Sequence, residues 1–236
     1  MNRTEKIILS ITGGSHLSVH ALMLALPSLI PIFISEFNIG IDVLGFVVTV
    51  SAFMFGIGAI PSGWLESRIG GKTLLVIYLF GSSFSALFIS LSNSFNVLVF
   101  GLGLLGLTSS IYHPAGLTLI SNRIHHITKG MAVHGVFGST GSAVGPVLAT
   151  TLALFISWRA SYATLGLFNL ALGIASILLI PSTKDNEHVE IINTKKKDNK
   201  TNRTALLYFY ITNLIMGFVY YGFTTFMPIH FSENTK

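Results

Sequence analysis

Residues Thr73–Asn122 read TLLVIYLFGSSFSALFISLSNSFNVLVFGLGLLGLTSSIYHPAGLTLISN, and these fifty positions hold no Asp, Glu, Lys or Arg. An average soluble domain carries about 25% charged residues, whereas this 236-residue chain carries 10% and is 51% hydrophobic. A water-soluble globule cannot hide such a stretch, while a bilayer needs only about 20 apolar residues per helical crossing. The segment is apolar all round instead of alternating, which favours helices over the strands of a barrel. A soluble enzyme, a disordered chain and a nucleic-acid binder are thereby excluded, despite the net charge of +5. Cysteine is absent, so disulfides, thiol nucleophiles and Cys-metal sites need no consideration.

Outward from this stretch, apolar runs bounded by charges or turn residues predict seven spans. They are Ile7–Ser35, Val43–Leu65, Thr73–Leu91, Phe95–Ser121, Met131–Ser157, Ala160–Pro181 and Ala205–Ile229. Ser92-Asn93-Ser94 is a polar turn, and Trp158-Arg159 marks an interface where indole and guanidinium both sit well. Gly13-Gly14-Ser15 has the small residues of a cleavage site, but the first span is too long and too continuous with the others for a signal peptide.

The few charges orient the chain. Twelve of the fourteen basic residues precede span one, follow spans two and four, or lie between spans six and seven, leaving Arg159 and Lys236 opposite. The positive-inside rule puts the N-terminus in the cytoplasm of a multi-pass cell (plasma or inner) membrane protein. Ser182–Thr204 is polar and Lys-rich and reads as a solvated cytoplasmic linker, with Lys195–Lys197 near anionic headgroups.

Between spans two and three stands Gly63-Trp64-Leu65-Glu66-Ser67-Arg68-Ile69-Gly70-Gly71-Lys72. Gly63, Leu65, Arg68, Gly70 and Lys72 resemble, in register, the Gly-x-Leu-x-Asp-Arg-x-Gly-Arg-Lys loop of the major facilitator superfamily. Ser67 replaces the Asp, with Glu66 beside it, and Gly71 replaces the Arg. Span five carries Gly135, Gly138, Gly141 and Gly145, whose spacing lets two helices approach closely in lipid. Gly141 to Pro146 is similar to the superfamily's Gly-x-x-x-Gly-Pro motif of helix 5, a motif of exporters, with Ala149-Thr150 in place of the usual Gly-Gly. Ser15-His16-Leu17, Tyr112-His113-Pro114 and Gly135-Val136-Phe137-Gly138 resemble the fosmidomycin-resistance-type branch over residues 7–181.

The resemblance implies an all-α polytopic fold, a six-helix bundle of inverted three-helix repeats in residues 1–181. A basic loop at 182–204 and the first helix of an incomplete second bundle at 205–236 follow. It implies secondary transport of a small drug-like solute, in the efflux direction, by alternating access, coupled to protons in a full-length protein. On this reading the chain is half a transporter plus one helix, lacks a C-terminal half as its partner, and does not transport alone. No cofactor, metal or enzymatic activity is expected.

No Asp or Glu falls within a predicted span, so the intramembrane titratable groups are His16, His20, His113 and His134, with His230 at the last helix end. A buried ionisable group in a membrane is costly and marks a functional site by default, and histidine is the cheapest version because it can stay neutral. His16 and His20, four apart, share a helix face. His113 and His134 are placed in the cytoplasmic half, His134 in the first turn of its helix. Pro114 between them breaks the ladder and frees the Ser110 carbonyl. The resemblance puts helices 1 and 4 along the central cavity, which makes the four histidines candidates for substrate binding or proton coupling.

Two other classes remain as rivals. A seven-helix receptor or light-driven pump fits the helix count, but the N-terminus is on the wrong side and Ala205–Ile229 has no lysine for a Schiff base. An intramembrane metal-dependent enzyme would need a motif that is missing here, and the four histidines are expected at depths too spread to share an ion.

Overall fold

The computed structural model describes residues 1–182 and 203–234. Lys184 and the basic residues 195–200 of the predicted linker lie outside the described residues. The described chain folds into α1 (Arg3–Phe37), α2 (Ile41–Ile69), α3 (Gly71–Ser90), α4 (Phe95–Ser109), α5 (Tyr112–Arg123), α6 (Ile127–Phe155), α7 (Trp158–Leu179) and α8 (Arg203–Asn234). With α4 and α5 taken as one interrupted crossing, seven helical segments are long and apolar enough to span a membrane.

Local chemistry explains the boundaries. Asn2 and Glu5 form a reciprocal capping box at the start of α1, pairing two backbone donors that the first turn would otherwise leave unsatisfied. Pro27 and Pro31 are carried inside α1, a placement tolerated where neighbouring helices absorb the disturbance. Ser94 and Ser157 cap α4 and α7 with their hydroxyls, so the polar turn and the position before Trp158 both act as helix starts.

The Gly63–Lys72 segment differs from the expected loop. Helix α2 runs on through Gly63 and Arg68 to Ile69, and α3 begins at Gly71. The whole corner is made by Gly70 at φ 79°, a backbone region open to glycine at no steric cost. One residue turns the chain, so the rest of the signature is free to stay helical.

The fourth crossing breaks as Pro114 dictates. Proline lacks the N–H that would bond the Ser110 carbonyl and its ring crowds that carbonyl; α4 ends at Ser109 and α5 starts at Tyr112.

Two apolar clusters hold the bundle. One gathers Ile8, Leu74, Tyr78, Tyr112, Leu119 and Ile180 at the end holding the N-terminus. The other gathers Leu29, Phe33, Leu44, Ile89, Leu98 and Trp158 at the opposite end. Large apolar side chains such as Phe46, Ile60, Phe84, Val147 and Leu154 point outward, the pattern of a surface solvated by lipid. Trp158, the first residue of α7, turns its ring into the bundle. It is only 2% exposed, because its indole N–H donates to Glu36 at the end of α1.

The tightest helix pair is α1 with α6, and glycine is the reason. A Cβ at Gly141 would stand 2.2 Å from the Leu17 carbonyl oxygen, and one at Gly145 would stand 2.5 Å from Ala21 Cα. Gly135 faces open space instead, so three of the four glycines in the row form the seam.

Candidate functional site

The four histidines come together where the two apolar clusters meet. His16 and His20 stand on α1, His113 is the second residue of α5, and His134 lies in the second turn of α6. The His16 and His134 rings stack with centroids 3.8 Å apart and 11° between planes. His113 meets His16 edge-on at 5.4 Å and His20 at 6.0 Å. The expected spread in depth is therefore wrong: ring nitrogens of His16, His20 and His113 all lie within 4.8 Å of one another. His16 sits on the fourth turn of α1 and His113 just past the break between α4 and α5, so the two meet at one level.

Backbone groups fix the rings. His16 Nδ1 lies 2.7 Å from the His134 carbonyl oxygen, an atom that can only accept, so Nδ1 carries the proton. That approach is possible because Gly138, one turn along α6, has no side chain; a Cβ there would stand 2.3 Å from His16 Cε1. The remaining nitrogen of His16, Nε2, is 3.1 Å from His20 Nε2.

Two buried tyrosines pack behind the cluster, Tyr112 against His16 and His134 and Tyr78 against Tyr112. Tyr112 donates to the Thr12 carbonyl and lies 3.3 Å from His134 Nδ1. Tyr78 donates to the Ser15 carbonyl at 3.3 Å. Neither stands among the candidate site residues of the sequence. Their hydroxyls satisfy helix carbonyls, a role with no linear signature.

His20 and His113 face a cavity of about 170 Å³, which is also lined by Phe55, Ser51, Tyr221 and Thr225. Among the described residues its lining is largely aliphatic, with imidazole, hydroxyl and aromatic groups and no carboxylate. Phe55 lies 6.4 Å from His113, edge to face, whereas Phe53 is exposed on the outer side. His230 itself is exposed, near the C-terminal end of α8, and does not line this cavity.

Behind α1, a second polar group was not anticipated. Ser18 donates to Asn169 Oδ1, and Asn169 Nδ2 donates to Ser82 Oγ at 2.7 Å. This chain joins α1, α7 and α3, and all three residues are fully buried.

Of the corner motif, Lys72 is the member with reach. Its Nζ donates to the Ile180 carbonyl at 2.5 Å and the Ser182 hydroxyl at 2.9 Å. It thus places a cation at the negative end of the α7 dipole. Arg68 lies over the Trp64 ring at 4.1 Å. Pro146 lies within α6, directly after Gly145 of the seam, and does not end that helix.

Comparison with known proteins agrees with this architecture. The Major Facilitator Superfamily profile matches residues 11–235. An uncharacterized transporter of Buchnera aphidicola subsp. Schizaphis graminum is 26% identical over 221 residues, covering 90% of this chain and 53% of its own. The inner membrane transport protein YnfM of Escherichia coli is 25% identical over 170 residues, covering 71% of this chain and 41% of its own. The chain thus spans about half the length of these curated relatives. The crystal structure of the human organic anion transporter MFSD10 (TETRAN) superposes with a TM-score of 0.59 at 17% identity, over 77% of this chain and 48% of that one, a likeness of fold. With a family profile covering nearly all of a seven-span helical chain, this protein belongs to the Major Facilitator Superfamily.

Proposed function

We propose that the chain works within a secondary transporter that moves a small neutral or anionic solute by alternating access, with the histidine cluster as its binding or proton-coupling centre. The observation that carries this reading is the cavity lined by His20 and His113, where three helices deliver four imidazoles to one place. Among the described residues no carboxylate lines it, which disfavours a cationic solute. Efflux is the direction proposed, on the Gly141–Pro146 motif, and the motifs around His16, His113 and Gly135 resemble the fosmidomycin-resistance-type branch.

In this reading residues 1–181 form the N-terminal bundle, 182–204 a cytoplasmic linker and 205–236 the first helix of a second bundle, with the N-terminus cytoplasmic. Support comes from the chain spanning about half of its relatives' length. The second bundle would complete the cavity wall where Tyr221 and Thr225 of α8 now stand.

The test is transport in vesicles by a full-length transporter carrying His16→Ala, His20→Ala or His113→Ala. Loss of rate or a displaced pH profile in these variants is expected. Unchanged rates and unchanged pH dependence in all three would overturn the assignment.

A further inference from the structure

We infer that His16, His20 and His113 form a binding site for a borderline divalent transition-metal ion such as Zn²⁺. The site uses residues of the proposed transport centre but does not depend on transport, because binding is read on the purified chain.

The geometry carries the inference in three steps. First, His16 is oriented as a metal ligand is. In metal sites the ring nitrogen away from the ion usually donates to a backbone carbonyl or carboxylate, which fixes the tautomer. His16 Nδ1 does so to the His134 carbonyl at 2.7 Å, so its Nε2 presents a bare lone pair. Second, that lone pair faces His20 Nε2 at 3.1 Å. With Zn–N at about 2.0–2.1 Å, two ligands of a tetrahedral ion stand about 3.3 Å apart. In the metal-free chain His20 donates its Nε2–H across this gap; the ion takes the proton's place, with the His20 proton on Nδ1. Third, a His113 ring nitrogen completes the triangle, all three ligand atoms lying within 4.8 Å.

The donor set selects the ion. Imidazole nitrogen suits zinc, copper, nickel and iron, whereas calcium and magnesium require oxygen and copper(I) prefers sulfur. Three protein ligands leave a fourth vertex, the arrangement of open zinc sites, and here His20 and His113 face the cavity of about 170 Å³. Three neutral imidazoles do not cancel a dication's charge in an apolar bundle, so the fourth vertex favours hydroxide or an anionic solute.

The full chain, purified in detergent without a polyhistidine tag, is titrated with Co²⁺ and then Zn²⁺. Expected are one Co²⁺ per chain with the absorption of a tetrahedral, nitrogen-ligated ion, and displacement by Zn²⁺. His20→Ala and His113→Ala each weaken binding by about tenfold or more, while the exposed His125→Ala/His126→Ala pair leaves it unchanged. His20→Gln, which keeps the side chain's bulk at a half-buried position, serves if an alanine variant fails to fold. Absence of the tetrahedral spectrum in the wild type, or its survival in His20→Gln and loss in the His125/His126 pair, overturns the site. Failure of the transport test with Co²⁺ binding intact would overturn the transport reading alone.

Discussion

Gly138 and His16 occupy what is in effect one side chain's worth of space: a Cβ on the glycine would fall 2.3 Å from the imidazole Cε1. The ring reaches the His134 carbonyl only because position 138 has nothing to offer but hydrogen. Packing and site chemistry are therefore the same contact. Gly138→Ala is expected to cost about 1–3 kcal/mol as overpacking and to displace His16. Gly141→Ala meets backbone of α1 and lies at the upper end of that range. Gly135→Ala, facing open space, gains about 0.5–1 kcal/mol from the lower entropy of alanine in a helix. Thermal unfolding of the three variants in one detergent gives the ranking; equal melting points for Gly135→Ala and Gly141→Ala would refute it.

Asn169 sits between two buried serines, accepting from Ser18 and donating to Ser82. Asn169→Leu removes both bonds and strands the Ser18 hydroxyl, while Ser82 keeps its donation to the Tyr78 carbonyl; interhelical bonds in membranes contribute about 0.6–2 kcal/mol each. A loss of about 1–3 kcal/mol is expected. The triple change with Ser18→Ala and Ser82→Ala should recover part of it, since no orphaned group remains. Denaturation midpoints that fall further in the triple variant would sink this account.

Lys72 and Arg68 are neighbours in one motif yet differ in what they hold. Lys72→Ala leaves the Ile180 carbonyl without its cation and is expected to cost about 1–2 kcal/mol. Arg68→Ala loses an exposed contact with Trp64 worth about 0.5–1 kcal/mol. Lys72→Met keeps the stem and loses the charge, so it should behave like Lys72→Ala; wild-type stability in Lys72→Met would show that packing alone mattered.

Glu36 receives both Arg159, at 2.9 Å, and the indole N–H of Trp158. The ion pair itself is about one-third exposed on each side and should contribute under about 1 kcal/mol. Glu36→Ala is expected to cost more than Arg159→Ala, about 1–3 kcal/mol, because it also orphans the donor of a buried tryptophan. A double-mutant cycle separates the terms, and equal single effects would contradict the claim.

Much of this architecture was written along the chain. The Thr73–Asn122 stretch carried two crossings, Ser92-Asn93-Ser94 marked the turn between them, and Pro114 marked the break between α4 and α5. Those features are local, set by capping, proline geometry and uninterrupted apolarity. The site was legible in its residue types, since an imidazole within a span is exceptional, but not in its assembly. His134 and His16 are 118 positions apart, and their stacking depends on the close approach of α1 and α6 that Gly138 and Gly141 permit. Asn169 and Tyr78 stayed silent because their partners are backbone carbonyls or distant serines. The corner at Gly70 is shorter than the expected loop, since one positive φ turns the chain.

The interruption at Ser110–Ile111 divides the histidines between two levers. His16 and His20 ride on one unbroken helix, so the 3.1 Å between their Nε2 atoms is internal to α1. His113 rides on the short α5, just beyond the joint, while α4 on the other side is seated against Ser51 through Gly106. Any swing at that joint opens or shuts the triangle from one corner, and leaves the pair on α1 and the seat of α4 where they were.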